Sequence, residues 1–131
     1  MNIKLVDQYG LPFTCIVVWN NSKSIILKNV LVDTGSASTI FKLARVEEID
    51  LVATEEDSFG SISGVGGKEL IFYKTVEAIE LNKFRVEHVE VDIGHMNYGN
   101  SFEIDGIIGM DLLRRLKANV NVEEMILTCK Q

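Results

Sequence analysis

Apolar side chains recur at every second position along most of the chain, which is the period of a strand with one buried face. Ile3 and Leu5 open the pattern. Residues 13–19 (Phe-Thr-Cys-Ile-Val-Val-Trp) continue it with the β-branched and aromatic side chains that suit a pleated sheet. Asn20-Asn21-Ser22 supplies a turn and residues 24–32 read as the returning arm, so 13–32 is a predicted hairpin. A second predicted hairpin has arms 58–63 and 68–76 around the tip Gly64-Val65-Gly66-Gly67. Residues 85–92 (Arg-Val-Glu-His-Val-Glu-Val-Asp) alternate as a half-exposed strand does. Residues 104–109 read as a buried strand, and two short strands near 118–122 and 125–129 close the chain. Helix is expected only at 43–49, with Arg45, Glu47 and Glu48 on the wet side, and from Asp111, a residue suited to capping a first turn, to about Lys117. The acidic run 55–57 and the Gly- and Asn-bearing stretch 94–101 read as solvated loops. No low-complexity linker divides the chain, so a single, nearly all-β domain spanning 1–131 is expected.

Length agrees with one domain, since domains most often hold roughly 100–150 residues. A chain of 131 residues, 47% of them hydrophobic, buries enough surface to stand without a metal or disulfide staple. Thirteen basic against 19 acidic residues give a net charge of −6. That balance argues against nucleic acid, whose phosphates call for Lys and Arg, and against an anionic membrane surface. No apolar run approaches the roughly 20 residues needed to span a bilayer. The opening segment 1–7 is too short and, with Asp7, too polar for a signal peptide, so a cytoplasmic location is expected. Cys15 and Cys129 fit no metal framework and are expected to be small core hydrophobes kept as thiols. Neither His88 nor His95 sits in a ligand pattern, and no metal or cofactor is expected.

Common site signatures are missing. There is no phosphate-binding Gly-x-x-x-x-Gly-Lys loop. The 64–67 glycines join two strands instead of a strand and a helix, unlike a dinucleotide fingerprint. Gly60-Ser61-Ile62-Ser63-Gly64 carries Ile where a nucleophile elbow needs Ser. One segment does invite chemistry. In Val30-Leu31-Val32-Asp33-Thr34-Gly35-Ser36 an apolar strand runs straight into a carboxylate, a hydroxyl and a glycine. Taken alone, the heptad is better read as an Asp that starts an ordinary turn, helped by Gly35.

Its surroundings extend the pattern. Asp33-Thr34-Gly35-Ser36 followed by 37–41 (Ala-Ser-Thr-Ile-Phe) resembles the active-site loop of the aspartic peptidases, and in particular the small retropepsin-like members. Two further pieces agree in order. The Gly-rich hairpin at 62–67 is similar to the family's flap. Ile107-Ile108-Gly109-Met110-Asp111 resembles its hydrophobics-plus-Gly motif before a helix, with Gly109 placed 76 residues after Asp33. The likeness spans roughly residues 13–129. It implies an all-β, small, closed, barrel-like acid-protease domain with a flap hairpin and one or two short helices.

The resemblance also implies an aspartic endopeptidase, with Asp33, Thr34, Gly35 and Ser36 as the catalytic loop. Leu31, Ile40, Ile62, Ser63, Gly64, Val65, Gly66 and Ile107 would contact an extended peptide, although core packing is an equal reading for Leu31, Ile40, Ile62 and Ile107. Such chemistry takes two carboxylates that share one proton, because like charges about 3 Å apart cannot both ionise. The chain has one Asp-Thr-Gly, so the second carboxylate is expected from another copy in a homodimer. In the family, the Thr at position 34 bonds across that dimer. A Ser36 hydroxyl donating to the carboxylate would favour its ionised form, and activity is expected to lean to acidic pH. Ala37 and Met110 stand where retroviral members often carry an acid and an Arg that pair beside the interface, so the dimer is expected to be held differently. Strand 125–129 is expected to join a terminal sheet, and Asp111 to be structural. The competing expectation is a non-catalytic peptide-binding or dimerisation module on the same fold.

Overall fold

Period-two patterning yields eleven strands in the computed structural model, which describes residues 1–64, 67–97 and 103–130. They are β1 (Asn2–Lys4), β2 (Val6–Gln8), β3 (Leu11–Asn20), β4 (Lys23–Val32), β5 (Ile40–Lys42), β6 (Phe59–Gly64), β7 (Gly67–Leu81), β8 (Phe84–Gly94), β9 (Gly106–Ile108), β10 (Asn119–Asn121) and β11 (Ile126–Thr128). Two short helices, α1 (Leu43–Val46) and α2 (Met110–Arg115), interrupt them. The stretch expected as one helix at 43–49 splits, because α1 passes into a 3-10 turn over Glu47–Ile49 that ends on Asp50 in the left-handed region.

The larger sheet runs β2-β3-β4-β9-β5-β8-β7-β6, and a short β3–β7 ladder joins it back on itself. This partial closure pairs backbone groups of β3 and β7 that an open sheet would leave free, while β2 and β6 still end the sheet. Pairing between β4 and β9 and between β5 and β8 is parallel, and the remaining ladders are antiparallel. Strand β7 is longer than expected, because alternation continues past Val76 to Leu81 and turns into β8 at Asn82, whose φ is 57°. His88, also at positive φ, marks the irregular step in that ladder between the pairs Val76↔Val89 and Ala78↔Glu87. The smaller sheet, β1-β11-β10, brings both ends of the chain together. Strand β11 thus pairs inside its own chain, with β1 and β10.

Alternation along the strands divides the apolar side chains into two clusters. Val30, Val32, Phe41 and Ile108 point into the main core with Val18, Leu27, Ile79, Leu112 and Leu116. Leu31, Ile40, Ile71, Met96, Ile104 and Phe13 form a second cluster on the opposite face. Cys129 is buried as expected, but Cys15 is exposed. The cause is a register shift in the β3–β4 ladder between Thr14 and Ile16, which turns position 15 outward.

Candidate active site

Strand β4 delivers Asp33 to its place. Its N–H donates to the Ile108 carbonyl (3.0 Å), which extends the β4–β9 ladder by one bond beyond Val32↔Ile108. The chain then turns. Gly35 N–H donates to Asp33 Oδ1 (2.9 Å) and Ser36 N–H to the Asp33 carbonyl (3.2 Å), so the half-buried carboxylate is held by its own loop. Ser36 does not act as expected. Its hydroxyl donates to the Ser38 carbonyl (2.8 Å), not to the carboxylate, because the loop curls that side chain back onto its own backbone.

The loop is locked to α2 from the other side. Met110 N–H donates to the Ser36 carbonyl (2.8 Å) and Asp111 N–H to the Ala37 carbonyl (3.3 Å). Asp111 accepts from Thr39 twice, from the hydroxyl at 2.8 Å and from the N–H at 3.2 Å, and from Leu112 N–H at 2.7 Å. Thr39, fully buried, in turn accepts from Gly109 N–H (3.1 Å). Asp111 is therefore a structural clamp. Gly109, not Asp111, occupies the N-cap of α2, and any side chain at 109 would overlap the Ser38 carbonyl. The glycine is required because loop and helix meet backbone to backbone.

The residues expected to line a peptide site converge. Ile107 on β9 is the register partner of Leu31 on β4 and of Ile40 on β5, and the three make one apolar row two residues short of Asp33. Ile62, on the β6 arm of the Gly-rich hairpin, packs on the same cluster. Ser63 is exposed and Gly64 ends β6, while Val65 and Gly66 lie outside the described residues. Thr34 is exposed and borders two shallow grooves of about 470 and 360 Å³ that run along α2 toward β10.

A second carboxyl lies in the same layer. Asp92, the register partner of Ile40, is 7% exposed and accepts the Ser38 hydroxyl (2.7 Å). Burial pushes its carboxyl up from the usual carboxylate range, against the lowering bond from Ser38, and the charges of Asp111 and Glu90 push the same way as burial. Sequence reasoning passed over Asp92 and Asp105, because neither sits in a motif. Asp105 is buried at the mouth of β9, where it accepts Asn29 N–H (3.2 Å) beside the Arg45 guanidinium (3.6 Å). A lone acid inside an apolar alternation was the available signal for both. Among the described residues, no group of His, Cys, Asp and Glu is arranged to hold a metal ion.

The sequence profile of the family described as aspartyl protease matches residues 17–112, which takes in the Asp33 loop, the hairpin and the Gly109 motif. The chain belongs to the aspartyl protease family. Solved structures show the retropepsin-like form of this aspartyl protease fold. A retropepsin-like aspartic protease from Rickettsia conorii superposes with a TM-score of 0.66 at 16% identity, covering 97% of this chain and 95% of that one. EIAV protease, complexed with the inhibitor HBY-793, superposes with a TM-score of 0.62 at 20% identity, covering 88% and 97%. The chain is also 32% identical over 89 residues to the structural maintenance of chromosomes flexible hinge domain-containing protein GMI1 of Arabidopsis thaliana. That stretch is 68% of this aspartyl protease chain and 5% of the plant protein's length. No helix among the described residues is long and apolar enough to cross a membrane.

Proposed function

We propose that residues 1–131 form a single aspartic endopeptidase domain that works as a homodimer, with Asp33 of each copy meeting at one site. The observation that carries this reading is the seat of Asp33: a half-buried carboxylate fixed by Gly35 N–H at the end of the apolar row Leu31–Ile107–Ile40. One such carboxylate is half of the required chemistry, and a second copy supplies the other half. Thr34, Gly35 and Ser36 complete the loop, with Thr34 facing the partner. The grooves along Thr34, Met110, Arg114 and Val120 offer surface for that partner.

Two adjacent carboxylates hold one proton between them. The ionised one takes a proton from a bound water, which attacks the scissile carbonyl, while the protonated one donates to the carbonyl oxygen as the tetrahedral species forms. No covalent intermediate forms on the protein. The β6–β7 hairpin serves as the flap over an extended peptide. Leu31, Ile40, Ile62 and Ile107 present an apolar floor, which suits apolar side chains beside the cleaved bond. Cys15 and Cys129 are free thiols, which fits a reducing compartment such as the cytoplasm.

Cleavage of a denatured protein by wild type and by Asp33→Asn tests the reading. The amide keeps the shape and removes the shared-proton chemistry, so cleavage should vanish. Cleavage by Asp33→Asn at the wild-type rate overturns it. A folded wild type that binds peptides without cutting them points to a non-catalytic module.

A further inference from the structure

Glu69 stands out in the flap. It lies on β7 directly across from Ile62 and shares a face with Ile71, so it projects toward the apolar cluster that floors the proposed cleft. Carboxylates are rarely placed against such a surface without full compensation. Here Oε1 accepts the Met96 N–H at 2.6 Å, whereas Oε2 is buried and has no hydrogen-bond partner among the described residues.

Two other features are shaped around this contact. Gly94, the register partner of Ile71, has no side chain, and a Cβ there would sit 2.8 Å from Glu69 Oε2 and 3.1 Å from Ile71 Cγ2. The glycine leaves the room that the carboxylate fills. Met96 adopts φ 55°, a left-handed conformation that an unbranched apolar residue rarely takes without being held. Its side chain is 2% exposed and packs in the cluster with Leu31, Ile40 and Ile71. A charge-assisted bond thus fixes an unfavourable backbone turn, and that turn aims Met96 at the floor.

We propose that Glu69 is a positioning residue that latches the flap to the segment after β8 through the Met96 N–H, setting both the closed position of the flap and the place of Met96 in the cleft floor. This rests on the peptidase reading above, with the flap closing over substrate. Glu69 and Met96 each stand two residues beyond Ile71↔Gly94, the last β7–β8 pair before the hairpin tip, so lifting the arm at its root would part the two. Opening the flap breaks the bond and lets water reach Oε2. Latching therefore belongs to substrate capture more than to the chemical step, and its loss falls on KM more than on kcat.

The test uses Glu69→Ala, Glu69→Gln and Gly94→Ala in the otherwise intact chain, with steady-state cleavage of a peptide carrying apolar residues beside the cut. Glu69→Ala should raise KM about fivefold or more with kcat changed by less than about twofold. Glu69→Gln, whose amide oxygen can still accept from Met96, should return KM to within about twofold of wild type. Gly94→Ala leaves Glu69 in place but pushes the carboxylate aside, and should reproduce the KM defect; adding Glu69→Ala to it should cost nothing further. Hydrogen exchange at the Met96 amide, read by NMR, should accelerate in Glu69→Ala and Gly94→Ala and stay slow in Glu69→Gln. A fall in kcat with KM unchanged, no rescue by Gln, or an unchanged Met96 exchange rate in Glu69→Ala would each overturn the latch. If the wild type cleaves nothing, the peptidase reading falls, and Met96 exchange then decides the latch by itself.

Discussion

Removing the Asp111 carboxylate should loosen the Asp33 loop from α2, and its cost follows from the contacts. Asp111→Ala deletes the acceptor for three donors: the Thr39 hydroxyl (2.8 Å), Thr39 N–H (3.2 Å) and Leu112 N–H (2.7 Å). Hydrogen bonds to a charged group contribute about 1.5–3 kcal/mol each, so a naive sum is several kcal/mol. Asp111 borders an open groove, however, and water can enter to meet part of the demand. Thr39 is fully buried, and its two donors are the ones water reaches least. A net loss of about 2–3 kcal/mol is expected, which for a domain of this size is a drop of roughly 6–12 °C in Tm. Asp111→Asn should cost clearly less. Its oxygen can replace Oδ1, which serves the Thr39 hydroxyl and Leu112 N–H, and only the Thr39 N–H then faces the wrong group. Urea unfolding of the three proteins, followed by circular dichroism, measures the differences at an unchanged m value. A loss in Asp111→Ala below about 0.5 kcal/mol, or an Asn variant as weak as the Ala variant, would refute the clamp.

Two other substitutions probe the same layer. Asp92 holds its proton more tightly in the folded protein than in the unfolded chain, so its ionisation costs stability as pH rises from about 4, the ordinary carboxylate value. Asp92→Asn keeps an oxygen for Ser38 and should be more stable, relative to wild type, at pH 7 than at pH 3; a stability difference that is flat with pH or shrinks as pH rises would contradict this. Gly109→Ala forces a methyl group into the Ser38 carbonyl and should destabilise by about 3 kcal/mol or more with loss of cleavage, whereas near-wild-type melting would mean that loop and helix are not in backbone contact.

Strands were legible in the sequence because they depend on local pattern. Alternation at 85–92 and the β-branched run at 13–19 each announce a strand, and the loop is legible only when Asp-Thr-Gly-Ser is read together with the Gly-rich hairpin and the Gly109 motif that follow it. Leu31, Ile40, Ile62 and Ile107 meet in one apolar cluster, an arrangement that core packing and a peptide-facing floor share. What escaped depends on residues far apart in the chain. Cys15 lost its core place to a register shift that one strand alone does not reveal. Ser36 was expected on the carboxylate, but the curl that takes it to Ser38 follows from the Met110 N–H gripping the loop across a long loop closure. Thr39 finds Asp111 72 positions away, and Glu69 finds Met96 27 positions away. Neither pair has a spacing rule, because tertiary packing and not periodicity brings them together.

On the homodimer reading Asp33 acts only beside the Asp33 of another copy, and mixing active with inactive chains separates this from a self-contained site. Wild type at fixed concentration is equilibrated with an equal amount of Asp33→Asn, under conditions where most of the protein is dimeric. Random exchange leaves about half of the wild-type chains in wild-type dimers, so cleavage should fall to about half, and further as the variant is added in excess. Cleavage that stays at the wild-type level through a large excess of folded Asp33→Asn would mean that each copy carries a complete site, and the account would be wrong.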